Sequence, residues 1–111
     1  MKFGHSRDGA FASELVAAFA KQVPPKLMEV NRGTMSVNKV TKQLEKTYKA
    51  AAEYQREQGI GFIRRSFLAN GFRWALKNSG YPDDFIHMAT EGLVVELSRA
   101  RKAADGGPSP G

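Results

Sequence analysis

The sequence has no cysteine among its 111 residues. Disulfides, thiolate metal sites and cysteine nucleophiles are therefore excluded, and this composition favours a reducing compartment. Long apolar runs are also absent, because no stretch approaches the roughly 20 apolar residues that cross a bilayer. Near the N-terminus, Arg7, Asp8, Ser13 and Glu14 interrupt the apolar segment that a secretory signal requires. We therefore expect a cytoplasmic protein without a membrane partner.

Histidine is scarce, and the motifs of common catalytic sites are missing. His5 and His87 are the two histidines, and neither has histidine or cysteine neighbours at the spacing of a metal site. His87 as a catalytic base would need an orienting acid and a nucleophile, whereas the nearby Asp83 and Asp84 complement the dipole at a helix start. Segment 59–61 lacks the third glycine and the preceding strand of a dinucleotide site. The sequence thus predicts a non-enzymatic protein without a metal or a cofactor.

Negative charge is in the minority, with 11 Asp and Glu against 17 Lys and Arg and a net charge of +6. Such a surplus attracts polyanions such as nucleic acid, or the acidic surface of a protein. Hydrophobic residues make up 41% of the chain, which is enough for one core in a chain of single-domain length. No segment alternates apolar and polar residues between turn signals, so we predict no strand.

Helical periodicity and helix stops divide the first part of the chain. We interpret residues 1–7 as a flexible basic arm and Asp8 as an N-cap. Apolar residues then recur at helical spacing over residues 10–23, and Pro24-Pro25 ends that helix. The second of these prolines suits the first turn of a short helix over residues 25–31.

Three longer helices are predicted in the remainder of the chain. The clearest is Val37–Gln58, which has one apolar face. Residues 60–79 carry most of the large apolar side chains, in an arc so wide that we expect this helix, with Trp74, to lie at the centre of the core. A proline and two acids open a last helix that ends near Lys102.

These elements predict an all-α protein, a compact bundle of four principal helices plus one short helix with flexible termini. Residues 8–102 form a single helical domain in this interpretation. Residues 103–111 are rich in glycine, proline and serine, which is typical of a disordered tail.

A row of lysines is the most ordered polar pattern in the sequence. Lys39, Lys42, Lys46 and Lys49 recur at 3-4-3 spacing and line about 15 Å of one helix face at roughly 1.5 Å per residue. The row could follow two or three phosphates of a polyanion, or it could be a solvated face with pairs such as Glu45–Lys49. A helix-turn-helix with this helix as the reader of DNA is a further hypothesis, but the helix before it is short for such a motif.

Three arginines of the next helix extend the candidate polyanion site. Arg64 falls within the apolar arc, where a charged side chain needs a partner, and we predict Asp83 or Asp84 as that partner. The alternative is that Arg64 anchors an anionic ligand together with Arg65. The complete candidate site comprises Lys39, Lys42, Lys46, Lys49, Arg64, Arg65 and Arg73.

Two function hypotheses follow from these features. The first is a helical domain that binds an unknown protein partner, or a second copy of itself, through an apolar or aromatic patch. The second is a nucleic-acid-binding domain that uses the basic face of Val37–Gln58. The two differ in the surface used, apolar in the first and cationic in the second.

Overall fold

The computed structural model describes residues 6–30 and 37–106, which form helices and short connections without a strand. The long helices are α1 Ser6–Gln22, α3 Val37–Gln58, α4 Phe62–Ser79 and α5 Asp83–Gly106, and the six-residue α2 is Pro25–Val30. The prediction of an all-helical, compact bundle with four principal helices is confirmed. None of the described helices is both long enough and apolar enough to cross a membrane.

The start of α1 differs from the prediction. The helix begins at Ser6, so Asp8 lies inside its first turn and is not an N-cap. The Asp8 side chain is 1% exposed, because it has partners on two other helices, as described below. The helix therefore starts within the segment that we predicted to be a loose arm.

The other predicted boundaries are close to the observed ones. Helix α5 continues to Gly106, beyond the predicted end near Lys102. Residues 1–5 of the predicted arm, residue 31 at the predicted end of the short helix, the connection 32–36 and residues 107–111 of the predicted tail lie outside the described residues.

The core lies where one face of each long helix turns inward. Its buried apolar side chains include Ala12, Val16, Phe19, Val23, Leu44, Ala51, Ile60, Leu68, Phe72, Leu76, Phe85, Ala89, Leu93 and Leu97. The rings of Phe19, Tyr81 and Phe85 cluster at one end, with centroids 5.3 to 5.8 Å apart. The Tyr81 hydroxyl donates a 2.6 Å hydrogen bond to the carbonyl oxygen of Val23, which joins the end of α1 to the start of α5.

Two glycines in the left-handed region end helices α3 and α4. Gly59 has φ of 64° and Gly80 has φ of 100°, a conformation that costs glycine little because it has no Cβ. After Gly59, the Ile60 N–H donates to the carbonyl oxygen of Gln55 at 3.0 Å. Ile60 is thereby buried in the connection, and α4 begins at Phe62 and not at residue 60 as predicted.

The prediction that Trp74 is central to the core is wrong. Helix α4 buries Leu68, Ala69, Phe72 and Leu76, whereas the Trp74 side chain is on the opposite side and 46% exposed. The apolar arc of α4 is wider than the face that α1 and α5 cover. Periodicity therefore identified an apolar helix correctly, but it could not tell which part of the arc would meet the core.

Candidate functional site

The four lysines of the predicted row all lie on the exposed side of α3. Lys39, Lys42, Lys46 and Lys49 follow the N-terminal half of the helix, as the spacing predicted. The exposed Glu45 stands among them, and the exposed Glu53 and Glu57 follow on the same helix. The row is therefore accessible to a ligand, and its field is weakened by neighbouring carboxylates.

Arg64 has a different partner from the one we predicted. It forms two hydrogen bonds with the buried Asp8 carboxylate, from Nε at 3.1 Å and from Nη2 at 2.9 Å. Asp83 lies instead 3.8 Å from Lys77 at the exposed end of α4. The predicted pair does not form because the two partners lie at opposite ends of α4. Arg64 is in its first turn, whereas Asp83 and Asp84 follow its last turn.

The Asp8 carboxylate also accepts a 2.6 Å hydrogen bond from the Tyr54 hydroxyl. The ring of Phe11 stacks on that of Tyr54, with centroids 3.8 Å apart. Burial, followed by the hydrogen bond to Asp8, raises the pKa of Tyr54 to about 12. The hydrogen bond with Asp8 likewise raises the pKa of Arg64. This network joins α1, α3 and α4, which indicates a structural role for Arg64.

Arg65 has partners on two helices. Its Nε donates to Gln55 Oε1 and its Nη1 to Ser98 Oγ, both at 3.2 Å. Gln55 in turn donates from Nε2 to the carbonyl oxygen of Leu97 at 3.0 Å. The partly buried Arg65 side chain thus joins α3, α4 and α5.

Arg73 lies on the outer side of α4, where its guanidinium carbon is 5.1 Å from the centroid of the Trp74 ring. Arg65 contacts the C-terminal half of α3 through Gln55, and Arg64 is linked to the same half because it shares the Asp8 carboxylate with Tyr54. The lysine row occupies the N-terminal half of the same helix. The structure therefore does not gather the seven predicted residues into one site.

A groove between α3 and α5 has a volume of about 790 Å³. Its apolar lining comprises Met28, Val40, Leu44, Tyr48, Phe85, Met88 and Gly92, and its polar lining comprises Thr41, Glu45 and Asp84. Asp84 Oδ1 also accepts a 2.8 Å hydrogen bond from the N–H of Phe85. We call this cavity the α3–α5 groove.

Tyr48 of one wall of this groove lies close to Gly92 of the other. The Tyr48 hydroxyl donates a 2.8 Å hydrogen bond to the carbonyl oxygen of Ala89. A Cβ at position 92 would lie 2.5 Å from that hydroxyl oxygen, so only glycine leaves room for it. Burial, with a smaller effect of Glu96, raises the pKa of Tyr48 to about 12.

A second apolar surface lies on α4, opposite its buried face. Ile63, Phe67 and Trp74 are separated by four and seven residues and therefore share one side of the helix, and Phe62 lies at its N-terminal edge. Their exposed fractions are 66%, 43%, 46% and 74%, respectively. We call these four side chains the outer face of α4.

A smaller cavity of about 400 Å³ lies between α4 and α5. Its lining includes the Lys77–Asp83 pair and the exposed His87, whose Nε2 is 3.1 Å from Glu91 Oε2. In the described part of the chain, no cluster of three or more His, Cys, Asp or Glu is placed to hold a metal ion.

Sequence reasoning missed the α3–α5 groove. One signal could have indicated it: Gly92 interrupts a helical apolar stripe, and a glycine in that place marks a close approach of another element. Comparisons of the chain with models of protein families, with curated proteins and with solved structures give no match. A function can therefore be inferred only from the chain's own surfaces, which are the two apolar ones and the charges around them.

Proposed function

We propose that this chain is a non-enzymatic protein-interaction domain whose α3–α5 groove binds an amphipathic helix of a protein partner. The observation that carries this proposal is the apolar groove of about 790 Å³. Ligand sites in proteins are concave, mostly apolar and about 300–1,000 Å³ in volume. A groove between two helices suits the apolar side of a third helix, which is a common mode of peptide recognition.

The charges of the groove favour a particular kind of helix. Among the described residues, the charged side chains in its lining are Glu45 and Asp84, although the chain as a whole carries a net charge of +6. Lysine or arginine beside the apolar stripe of a partner would therefore be attracted to this groove. Met28 and Met88 support the same assignment, because methionine side chains adapt to the shape of a bound apolar surface.

Two labelled helical peptides test this proposal by fluorescence anisotropy. They share one apolar stripe and differ only in the flanking charges, lysine in one peptide and glutamate in the other. We expect micromolar binding of the lysine peptide and an affinity lower by about tenfold or more for the glutamate peptide. Failure of both peptides to bind, or equal binding of the two, would contradict the proposal.

Met88 and Val95 provide a matched pair of variants for the same experiment. Both lie on α5 and are similarly exposed, at 50% and 52%, but only Met88 lines the groove. Met88→Lys should weaken binding of the lysine peptide by about tenfold, and Val95→Lys should leave it within about twofold. Equal effects of the two variants would show that added charge, and not the groove, controls binding.

Nucleic-acid binding by the lysine row is a second candidate function, and the exposure of all four lysines on α3 favours it. Binding to a labelled oligonucleotide should then weaken steeply with salt, because each phosphate contact releases counterions. Lys42→Glu combined with Lys46→Glu should abolish it. A flat titration of the natural chain at low salt would exclude this candidate.

A further inference from the structure

The α3–α5 groove follows the first part of two helices that run in the same direction. The direction is shown by two hydrogen bonds, from Tyr48 to Ala89 and, further along both helices, from Gln55 to Leu97. The lining of the groove extends over residues 40–48 of α3 and residues 84–92 of α5. Each stretch is about 12 Å long at roughly 1.5 Å per residue, which is about two helical turns.

Beyond these stretches the two helices pack directly against each other. Ala51 and Leu93, which follow the groove on α3 and α5, are both 0% exposed. Further on, the buried Gln55 side chain donates from Nε2 to the carbonyl oxygen of Leu97 at 3.0 Å. The groove therefore ends where Tyr48 meets Gly92, and a ligand that lies along it finds packed side chains past that point.

The end of the groove depends on the particular residues at these two positions. The Tyr48 hydroxyl reaches across to the carbonyl oxygen of Ala89 at 2.8 Å. A Cβ at position 92 would lie 2.5 Å from the hydroxyl oxygen and 3.1 Å from the ring carbon that bears it. Glycine weakens the interior of a helix relative to alanine, and Gly92 lies well inside α5. The close approach of the tyrosine gives that glycine a packing reason.

We propose that Tyr48 and Gly92 determine the specificity of the α3–α5 groove by closing one of its ends, so that a partner helix engages it with about two turns of apolar side chains. This inference rests on the proposed function of the groove and adds the length of the apolar stripe that fits it. The limit is steric, because it comes from the ring that fills the end of the groove and not from the charges of the lining.

Two lysine-flanked helical peptides of equal length test the limit by fluorescence anisotropy. Their apolar stripes span two turns in one peptide and three turns in the other, with glutamine in place of the missing apolar residues. The natural chain should bind both with affinities within about twofold of each other. Tyr48→Ala should bind the three-turn peptide at least about fivefold more tightly than the two-turn peptide, because the space of the ring accepts a further apolar side chain. Tyr48→Phe retains the ring and should bind the two peptides equally.

Gly92→Ala tests the other half of the contact. The added Cβ displaces the Tyr48 hydroxyl, and the ring can move only toward the open groove, so binding of both peptides should weaken by about tenfold. Combining Gly92→Ala with Tyr48→Ala removes the clash and should recover binding of the two-turn peptide. Gly9→Ala is the matched control, since Gly9 is also helical and an added Cβ there meets nothing within 4 Å. Circular dichroism checks that each variant is folded.

The outcomes separate this inference from the proposed function. A natural chain that binds the three-turn peptide about tenfold more tightly would show that the groove is open past Tyr48, which overturns the inference alone. Equal weakening of both peptides in Tyr48→Ala would leave that residue a purely structural role and would also overturn it, as would unchanged binding in Gly92→Ala. Failure of both peptides to bind the natural chain would overturn the proposed function, and the inference with it.

Discussion

Helix α4 has two apolar faces that meet different surroundings. The inner face, with Leu68, Phe72 and Leu76, is buried at 0–1% exposure. The outer face includes Phe67 and Trp74, which are as large and as apolar, and yet it is only partly covered. Residue type therefore does not decide which face of a helix joins the core. The neighbouring helices decide it, and here α1 and α5 both lie on the inner side.

The arginines of α4 repeat this contrast. Arg64, on the flank toward α1, makes a bidentate contact with the buried Asp8 carboxylate. Arg73 is exposed, and its contact is with the exposed ring of Trp74. The same residue type thus stabilises the fold in one place and remains available for a partner in the other.

The largest loss of stability is expected when a core side chain on the inner face of α4 is truncated. Phe72→Ala should lower the free energy of unfolding by about 3–5 kcal/mol, because it leaves a cavity in the core. Trp74→Ala should lower it by about 0.5–1 kcal/mol, because the ring is half exposed in the folded chain. Urea unfolding followed by circular dichroism measures both values.

Protein concentration is the control for this comparison. At concentrations where the chain is monomeric, the difference between the two variants reflects the fold alone. Equal losses of stability in Phe72→Ala and Trp74→Ala would contradict the distinction between an inner and an outer face. A larger loss in Trp74→Ala would place that ring in the core after all.

A smaller loss of stability is expected when the buried Asp8 carboxylate, which binds Arg64, is removed. Asp8→Ala removes the acceptor of three hydrogen bonds, two from Arg64 and one from Tyr54. Hydrogen bonds to a charged group contribute more than neutral ones, so we expect a loss of about 2–3 kcal/mol in the free energy of unfolding. Arg73→Ala is the matched variant on the outer side and should change stability by less than about 0.5 kcal/mol. Similar values for Asp8→Ala and Arg73→Ala would remove the contrast between the two arginines.

The fold could be predicted from the sequence because its signals are local. The apolar stripe of α3 recurs at helical spacing, Pro24-Pro25 ends α1, and Gly59 and Gly80 end α3 and α4. Each of these signals acts over a few residues, so it survives without knowledge of the tertiary structure. The lysines of α3 were likewise predicted on the face that the structure leaves exposed.

The candidate site could not be predicted in the same way, because its parts are distant in sequence. Arg64 and Asp8 are 56 residues apart, and a helical wheel shows only that Arg64 needs a partner. The α3–α5 groove depends on how Tyr48 meets Gly92, which is a property of two packed helices. The exposure of Trp74 follows from the placement of α1 and α5 around α4. These contacts and exposures depend on how the helices pack against one another, and helical periodicity in the sequence does not specify that packing.

A last effect on stability depends on pH and comes from the tyrosine hydroxyls that are buried or partly buried in the bundle. Burial is the first cause that raises the pKa values of Tyr48, Tyr54 and Tyr81 to about 12, from an ordinary value of 10.0. The folded state therefore favours the neutral phenol. Its contribution to the free energy of unfolding is complete below about pH 10 and is lost as the pH rises toward about 12.

Urea unfolding at successive pH values measures this effect, and phenolate absorbance measures the ionisation itself. We expect the tyrosine contribution to stability to be constant from about pH 7 to pH 9 and to fall above about pH 10. Tyr54→Phe removes one titrating group and should make the decline above pH 10 shallower, whereas Trp74→Phe on the outer face should leave its slope unchanged. Phenolate formation near pH 10 in the folded chain would contradict the raised pKa values of these three hydroxyls.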